Sequence, residues 1–484
     1  MDKQDKRDKP NKQLDTLVFG TDGWRDVIGE RFTFANVSRV AQAYADYLHE
    51  AGTPSAVVGF DTRFNGELFA RRVAEVLAAN GVAVKLAAAY LPTPALSFAV
   101  KHLGVGGGVM LTASHNPPPY SGFKLKGPYG GGATDTIYKA VSARVAVTGP
   151  DDVRVFDAER HTLETFDIRA AYYGALAQLV DLDTLRTFDG TLVHDAMGGA
   201  GAGWLQAFAD YADLPLNILE LRGEPTPMFY GVNPEPIPQN LSVTQDFMRT
   251  SDAVFATATD GDGDRLGLVL PGGAFFNSHQ LLALLLAALY DQGLRGRVVK
   301  TFTTSRIIER LAEKRDLTVL ETPVGFKYIV DAMLEGDVLI GGEESGGIGV
   351  QGHIPERDGL ANTLLVLEAV VRSGKSVEEL FRALEKEADW QHAYDRLDLH
   401  LSGNALKDAV LSKLEAPPET FAGRAVEAVE RLDGVKLNLS GKAWLLFRAS
   451  GTEPVLRIYC EAQSAAEVEA ILAEARAFVQ KIEG

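Results

Sequence analysis

Ala56-Val57-Val58-Gly59-Phe60-Asp61-Thr62-Arg63 opens the stretch that decides the fold. The first five residues form a short apolar run with β-branched members, which reads as a buried strand ending at Asp61-Thr62-Arg63. Glu67–Asn80 follows with helical spacing, Leu68, Phe69, Val73, Val76 and Leu77 falling on one face. Gly81 suits the helix C-terminus, and Val82-Ala83-Val84-Lys85-Leu86 reads as the next strand. Strand, helix, strand at this spacing is the unit of an α/β protein.

The theme recurs. Thr191–His194 leads through a turn rich in glycine (Gly198, Gly199, Gly201, Gly203) to a helix over 204–211 and a strand over 216–219. A third round runs strand 298–302, helix 305–314 and strand 318–320. The run Leu281–Tyr290 is too short to span a bilayer and reads as a core helix. After Pro417-Pro418 the order changes: strands over 434–439, 443–447 and 455–461 come in series and one long helix, 465–482, closes the chain. The expectation is α/β: three similar mixed α/β domains plus a smaller C-terminal α+β domain around a central cleft. The expected divisions are a disordered tail (1–14), then domains over 15–155, 156–272, 273–390 and 391–484.

Composition narrows the partners. A formal net charge of −17 over 484 residues argues against nucleic acid or an anionic membrane, but leaves room for an anionic small molecule in a local basic pocket. The single cysteine, Cys460, rules out an internal disulfide framework and fits a reducing compartment. The charged N-terminus has no apolar core of a signal peptide. These features imply a cytoplasmic protein, monomer or homodimer.

Four loops carry chemistry. Thr112-Ala113-Ser114-His115-Asn116-Pro117-Pro118-Pro119 follows the apolar run Gly108–Leu111. The prolines keep helix or ladder from absorbing the hydroxyl, imidazole and amide, so Ser114 reads as an exposed phosphate carrier or nucleophile. The same residues also suit a plain proline-rich surface turn. Asp260-Gly261-Asp262-Gly263-Asp264-Arg265 places three carboxylates at alternate positions on glycine-loosened backbone, a donor set for one hard cation. It is no EF-hand, because Arg265 and Pro271 stand where that loop needs Gly and Glu. An unfinished octahedron suits Mg²⁺ shared with a phosphate oxygen.

Gly341-Gly342-Glu343-Glu344-Ser345-Gly346-Gly347 offers acceptors for sugar hydroxyls; as a plain turn its acids would cap a helix. The G-x-G-x-x-G match at 347–352 is no nucleotide site, since His353-Ile354-Pro355 opens no helix. Arg448-Ala449-Ser450-Gly451-Thr452-Glu453-Pro454, with Arg457, could cradle a phosphate or be a hairpin turn with surface arginines. Weaker loops are Phe19–Arg25, Gly122-Phe123-Lys124 and Gly325-Phe326-Lys327. No Walker motif occurs, so ATP is not implied.

In this order, and over nearly the whole chain after the tail, the motifs resemble the α-D-phosphohexomutase family. The resemblance implies an isomerase that moves a phosphoryl group through phospho-Ser114 and a bisphosphorylated sugar, with Mg²⁺ on Asp260, Asp262, Asp264 and the Ser114 phosphate. It implies a catalytic group of Ser114, His115, Arg25 and Lys124, with Lys124 the preferred base because arginine stays charged. Arg265, Gly325, Lys327, Glu343, Ser345 and Arg357 would contact the sugar phosphate. Arg448, Ser450, Gly451, Thr452 and Arg457 would grip its non-reacting phosphate. Phosphomannomutase-like and glucosamine-type branches usually carry histidine where Gly347 stands; Glu343-Glu344 and His353–Gly359 look more like phosphoglucomutases. The expected reaction interconverts glucose 1-phosphate and glucose 6-phosphate, with glucose 1,6-bisphosphate as intermediate and activator. Phosphomannomutase or dual activity is the alternative; a non-catalytic sugar-phosphate sensor and a phosphatase are rivals from other classes.

Overall fold

A computed structural model of the chain describes residues 17–20, 22–449 and 455–483. Four sheets organise it. In the first, Ser55–Phe60 lies parallel to Ala83–Ala87 and to Gly108–Leu111, and Gly108–Leu111 then pairs antiparallel with Tyr120–Gly127. In the second, Thr191–Asp195 lies parallel to Asn217–Leu221 and Phe255–Thr259, and Phe255–Thr259 pairs antiparallel with Leu266–Val269. In the third, Arg297–Thr301 lies parallel to Val319–Thr322 and Val338–Gly342, and Val338–Gly342 pairs antiparallel with Ile348–Val350. The fourth sheet is antiparallel throughout, from Ala393–His400 through Val455–Ala462, Ala443–Ala449, Val435–Leu439 and Arg424–Glu430 to Thr420–Phe421.

This topology positions the site. In each mixed sheet the chemistry-bearing loop sits where a parallel strand hands over to an antiparallel neighbour: residues 112–119, 260–265 and 343–347. Carboxyl ends of parallel strands are where open α/β sheets present loops to ligands. Residues 450–454, which lie outside the described residues, join two strands of the fourth sheet.

One core cluster runs through all three mixed units, while the first unit also packs a large core of its own around Trp24, Tyr44 and Phe69. A continuous cluster of buried side chains runs from Val57 and Met110 through Trp204 and Leu281–Leu286 to Phe381 and Trp390. The helix Ser278–Asp291 lies in it, as its all-round apolar sequence requires. The fourth sheet has its own core, closed by the helix Ala465–Glu483.

Some expectations shift. In the helix Gly66–Ala79 the buried stripe is Phe69, Ala70, Val73, Ala74, Val76 and Leu77, while Leu68 is 51% exposed. Alanines complete the stripe, so Leu68 is left one residue step off it. The helix expected from 305 begins at Ile307, because Ser305 and Arg306 are taken up by contacts with Glu461. Two edge strands lie beyond the divisions expected near 155 and 272: Glu164–Phe166 pairs with Ala83–Ala87 of the first sheet, and Phe275–Phe276 with Leu266–Val269 of the second. Each sheet therefore takes its last strand from chain a few residues further on.

Candidate active site

Ser114 is not exposed, as its sequence suggested, but 1% accessible. It lies just behind His115 and Asn116, which line the cleft. Its backbone is left-handed at φ 52°, a conformation that costs a non-glycine residue energy and has to be held by its surroundings. Arg63 holds it. One guanidinium donates to four carbonyls of the serine loop: Nη2 to Ser114 (2.6 Å) and Asn116 (2.6 Å), Nη1 to Pro117 (2.9 Å) and Tyr120 (2.9 Å). Its Nε faces Asp61 at 3.2 Å and its flat face covers the Phe229 ring at 4.8 Å. Asp61 in turn accepts from the Thr112 hydroxyl (2.6 Å), whose oxygen accepts from the Ser114 N–H (2.8 Å). Burial pushes the Asp61 carboxyl up to about 6, against the pull of Arg63.

The second unit meets this loop directly. Ser114 Oγ donates to Asp260 Oδ2 at 2.7 Å, and a Cβ on Gly261 would lie 2.6 Å from the Ser114 carbonyl oxygen, so glycine lets the two backbones touch. Asp260 Oδ1 accepts from the backbone N–H of Asp264 and Arg265. Asp262 Oδ2 accepts from the Thr93 hydroxyl at 2.6 Å. One oxygen from each of Asp260, Asp262 and Asp264 falls within 4.8 Å of the others, and all three side chains are buried. Asp262 Oδ1 and Asp264 Oδ1 are buried without a hydrogen-bond partner. Orphaned carboxylate oxygens cost free energy, and an all-oxygen hard donor set of this size fits Mg²⁺.

Lys124 reaches the same carboxylates from the strand Tyr120–Gly127: Nζ lies 2.8 Å from Asp262, 3.2 Å from Asp264 and 3.0 Å from Asp22. Burial alone would lower its ammonium; Asp22, Asp262 and Asp264 outweigh burial and hold it above its ordinary value. To act as the base expected from sequence, Lys124 would first have to give up this proton. Burial raises the Asp260 carboxyl, and the charges of Asp262 and Asp264 raise it further. Burial, then Arg265 and Arg25, hold the His115 imidazole well below its usual range. It is therefore neutral, with Nδ1 buried and unpartnered.

A cleft of about 690 Å³ opens over this centre. Arg25, His115, Arg265, Gly325, Lys327, Glu343, Ser345, Arg357, Arg448 and Arg457 all line it, so the structure brings together every described residue the sequence pointed to as contacting the substrate. Ser450, Gly451 and Thr452 lie outside the described residues. Arg25 donates to Asn116 Oδ1 at 2.7 Å. Lys327 pairs with Asp135 at 2.6 Å, tying the third unit to the first. Glu343 accepts from the Gly325 N–H at 3.1 Å; burial raises its carboxyl, and Arg357 opposes the rise.

Arg357 crosses from the third unit to the metal loop, 2.7 Å from Asp264 and 3.0 Å from Asp22. Gly347 makes room for it, since a Cβ there would sit 2.2 Å from Arg357 Cδ. Beside it, Glu356 binds Lys126, two residues along the strand from Lys124 and hence on the same face.

Sequence reasoning missed Arg63, Asp61, Asp22 and Thr93. Asp61 and Arg63 stand at a strand's carboxyl end, the place where such sheets present functional groups, and that position was the available signal. Nothing in the local sequence marks Thr93, a helix-start residue that binds Asp262 only through the fold.

The sequence matches family profiles described as phosphoglucomutase/phosphomannomutase alpha/beta/alpha domain I over residues 16–149, domain II over 170–273, domain III over 277–388 and the C-terminal domain over 410–478. A phosphoglucomutase/phosphomannomutase of Thermococcus kodakarensis is 30% identical, the match covering 92% of this chain and 95% of that protein. A phosphoglucosamine mutase of Thermobifida fusca is 29% identical over 94% of this chain and 96% of its own length. The crystal structure of a Thermus thermophilus protein assigned as a phosphomannomutase is 46% identical, with a TM-score of 0.88 over 96% of this chain and 99% of that one. With all four domains matched in order and relatives aligned along almost their full length, the chain belongs to the α-D-phosphohexomutase superfamily and is a phosphohexomutase.

Proposed function

We propose that this mutase interconverts glucose 1-phosphate and glucose 6-phosphate, with Ser114 as the phosphate carrier and glucose 1,6-bisphosphate as the intermediate. The observation that carries the reading is the Ser114–Asp260 hydrogen bond of 2.7 Å, which puts an otherwise inert hydroxyl on a three-carboxylate loop from another unit. Asp260, Asp262 and Asp264 would hold Mg²⁺ together with the seryl phosphate, and the ion supplies charge withdrawal from the phosphoryl oxygens.

The protein's own groups divide the remaining work. Arg448 and Arg457 receive the phosphate that is not reacting, as paired guanidinium groups suit phosphate geometry. Glu343 and Ser345 accept from and donate to sugar hydroxyls and so orient the ring. Transfer breaks the bond from phosphorus to Ser114 Oγ and forms one to the sugar oxygen. Oγ gains a proton and the sugar hydroxyl loses one; Lys124, protonated at rest, supplies the first and takes up the second. Arg25 and Arg357 balance the charge of the phosphoryl group in flight. The bisphosphate then turns end for end, so the cradle must grip either phosphate.

Glucose preference rests on Gly347, where mannose- and glucosamine-type mutases usually carry histidine. The 46% identity to the Thermus protein assigned as a phosphomannomutase supports mannose phosphates as second substrates of this chain. Side-by-side assays with glucose, mannose and N-acetylglucosamine 1-phosphates test this. Glucose should give the highest kcat/KM; a higher value for either other sugar would reassign the branch.

A further inference from the structure

The sugar loop of the third unit and the phosphate-binding sheet of the fourth are joined by a chain of alternating charges. Glu344 stands between Glu343 and Ser345 and lines the cleft with them, yet its carboxylate is held from the fourth sheet. Its Oε1 accepts from the Tyr394 hydroxyl at 3.0 Å and from Arg396 Nη1 at 3.3 Å, both on the strand Ala393–His400 of the fourth sheet. Arg396 Nε lies 3.3 Å from Asp398 Oδ1, and Asp398 Oδ2 lies 4.0 Å from Arg457 Nε. That last contact is loose, and Arg457 Nε is buried with no hydrogen-bond partner.

Register explains why these groups line up. Side chains opposite one another across antiparallel strands share a face. Tyr394, Glu461 and Trp444 form one row; Arg396, Tyr459 and Leu446 the next; Asp398, Arg457 and Arg448 the third. The first row is fixed. Glu461 is fully buried and accepts from Trp444 (2.6 Å), Trp390 (3.0 Å), the Arg306 backbone N–H (3.0 Å), His392 and Ser305, which pins the fourth sheet to the third unit. The third row faces the cleft and carries the two phosphate-binding arginines. Arg396, which also reaches the cleft wall, stands between the pin and the cradle, and Glu344 is its partner across the boundary.

We propose that Arg396 is a positioning residue that couples phosphate occupancy at Arg457 to the placement of the sugar loop through Glu344. A phosphate that takes Arg457 leaves Asp398 paired with Arg396 alone. Arg396 and Tyr394 then fix Glu344, and with it Glu343 and Ser345 on either side. The device lets one phosphate-binding event set the loop for either orientation of the bisphosphate. It rests on residues 343–347 binding the sugar, as proposed above.

The test uses the full-length enzyme with Glu344→Gln, Arg396→Gln, Arg396→Lys and the Glu344→Gln/Arg396→Gln double variant, with Glu343→Gln as control. Each Gln single should raise KM for the hexose phosphate about tenfold, the double should be no worse than either single, and Arg396→Lys should recover most of the loss. Inorganic phosphate should slow amide hydrogen exchange across 341–347 in the parent enzyme but not in Arg396→Gln, although phosphate still inhibits that variant. Unchanged KM in the singles, additive losses, or retained phosphate protection in Arg396→Gln would overturn the proposal. Parent-like activity of Glu343→Gln would instead remove the sugar-loop reading beneath it.

Discussion

Ser114 Oγ donates to Asp260 Oδ2 at 2.7 Å, joining a hydroxyl from the first unit to a carboxylate from the second. No stretch of chain enforces that contact; only the packed orientation of two sheets does. The carboxylates around Asp260 are arranged for a cation, two of their oxygens being buried and unpaired. Asp262→Asn removes one charge from that set while keeping its shape. The Mg²⁺ concentration for half-maximal activity should rise by at least about tenfold, as read from a metal titration after chelation. An unchanged titration would mean that the loop does not hold the ion.

Arg63 stands outside the cleft lining, yet it fixes four carbonyls of the serine loop. Arg63→Lys keeps the charge but replaces a planar fork by a point donor that cannot reach all four. Loss of charge-assisted hydrogen bonds worth roughly 1.5–3 kcal/mol each should lower Tm by several degrees. Turnover should fall about tenfold or more while KM stays within about threefold, because Ser114 is misplaced and the sugar contacts are not. Steady-state kinetics beside a thermal melt separates the two effects.

Gly347 and Arg357 compete for one volume. Gly347→Ala puts a methyl group 2.2 Å from the Arg357 side chain, whose head is committed to Asp264 and Asp22. It should cost about tenfold in kcat/KM in the parent enzyme and much less in an Arg357→Ala background, where the clash is gone. Equal losses in both backgrounds would show that the two residues act independently.

Glu461 makes the link between the third and fourth units pH-sensitive on the acid side. Burial would raise its carboxyl, but hydrogen bonds from His392, Ser305 and the Arg306 backbone hold it at about 2. A carboxyl lowered in the folded state stabilises above its unfolded value of about 4.3, and that contribution disappears as pH falls toward 2. The parent enzyme should lose a few kcal/mol across that window. Glu461→Gln should be less stable at pH 7 and show a shallower acid limb in denaturant melts taken from pH 7 down to pH 2.5.

The α/β repeat was legible because alternation, glycine turns and helical stripes are local signals; the strand at 55–60 and the helix at 204–211 are where periodicity put them. The three-carboxylate loop was legible because its chemistry lies within six consecutive residues. Arg63 was less so: its place at a strand's carboxyl end was a signal, but the four carbonyls it holds lie more than fifty residues away. The burial of Ser114 was hidden for the same reason: prolines announce an irregular loop, but only the second unit, whose Gly261 rests against the Ser114 carbonyl, shows that the loop is covered. The charge chain from Glu344 to Arg457 spans two units and depends on strand register, which no single stretch encodes.

The most direct test of the account is the phosphorylation of Ser114 itself. Intact-mass spectrometry of the enzyme incubated with glucose 1,6-bisphosphate and Mg²⁺ should show one added phosphoryl group. That group should map to Ser114, be discharged by glucose 1-phosphate or glucose 6-phosphate, and be absent in Ser114→Ala, whose turnover should fall more than about 1,000-fold. A phosphoryl group on another residue, or normal turnover in Ser114→Ala, would contradict the carrier assignment.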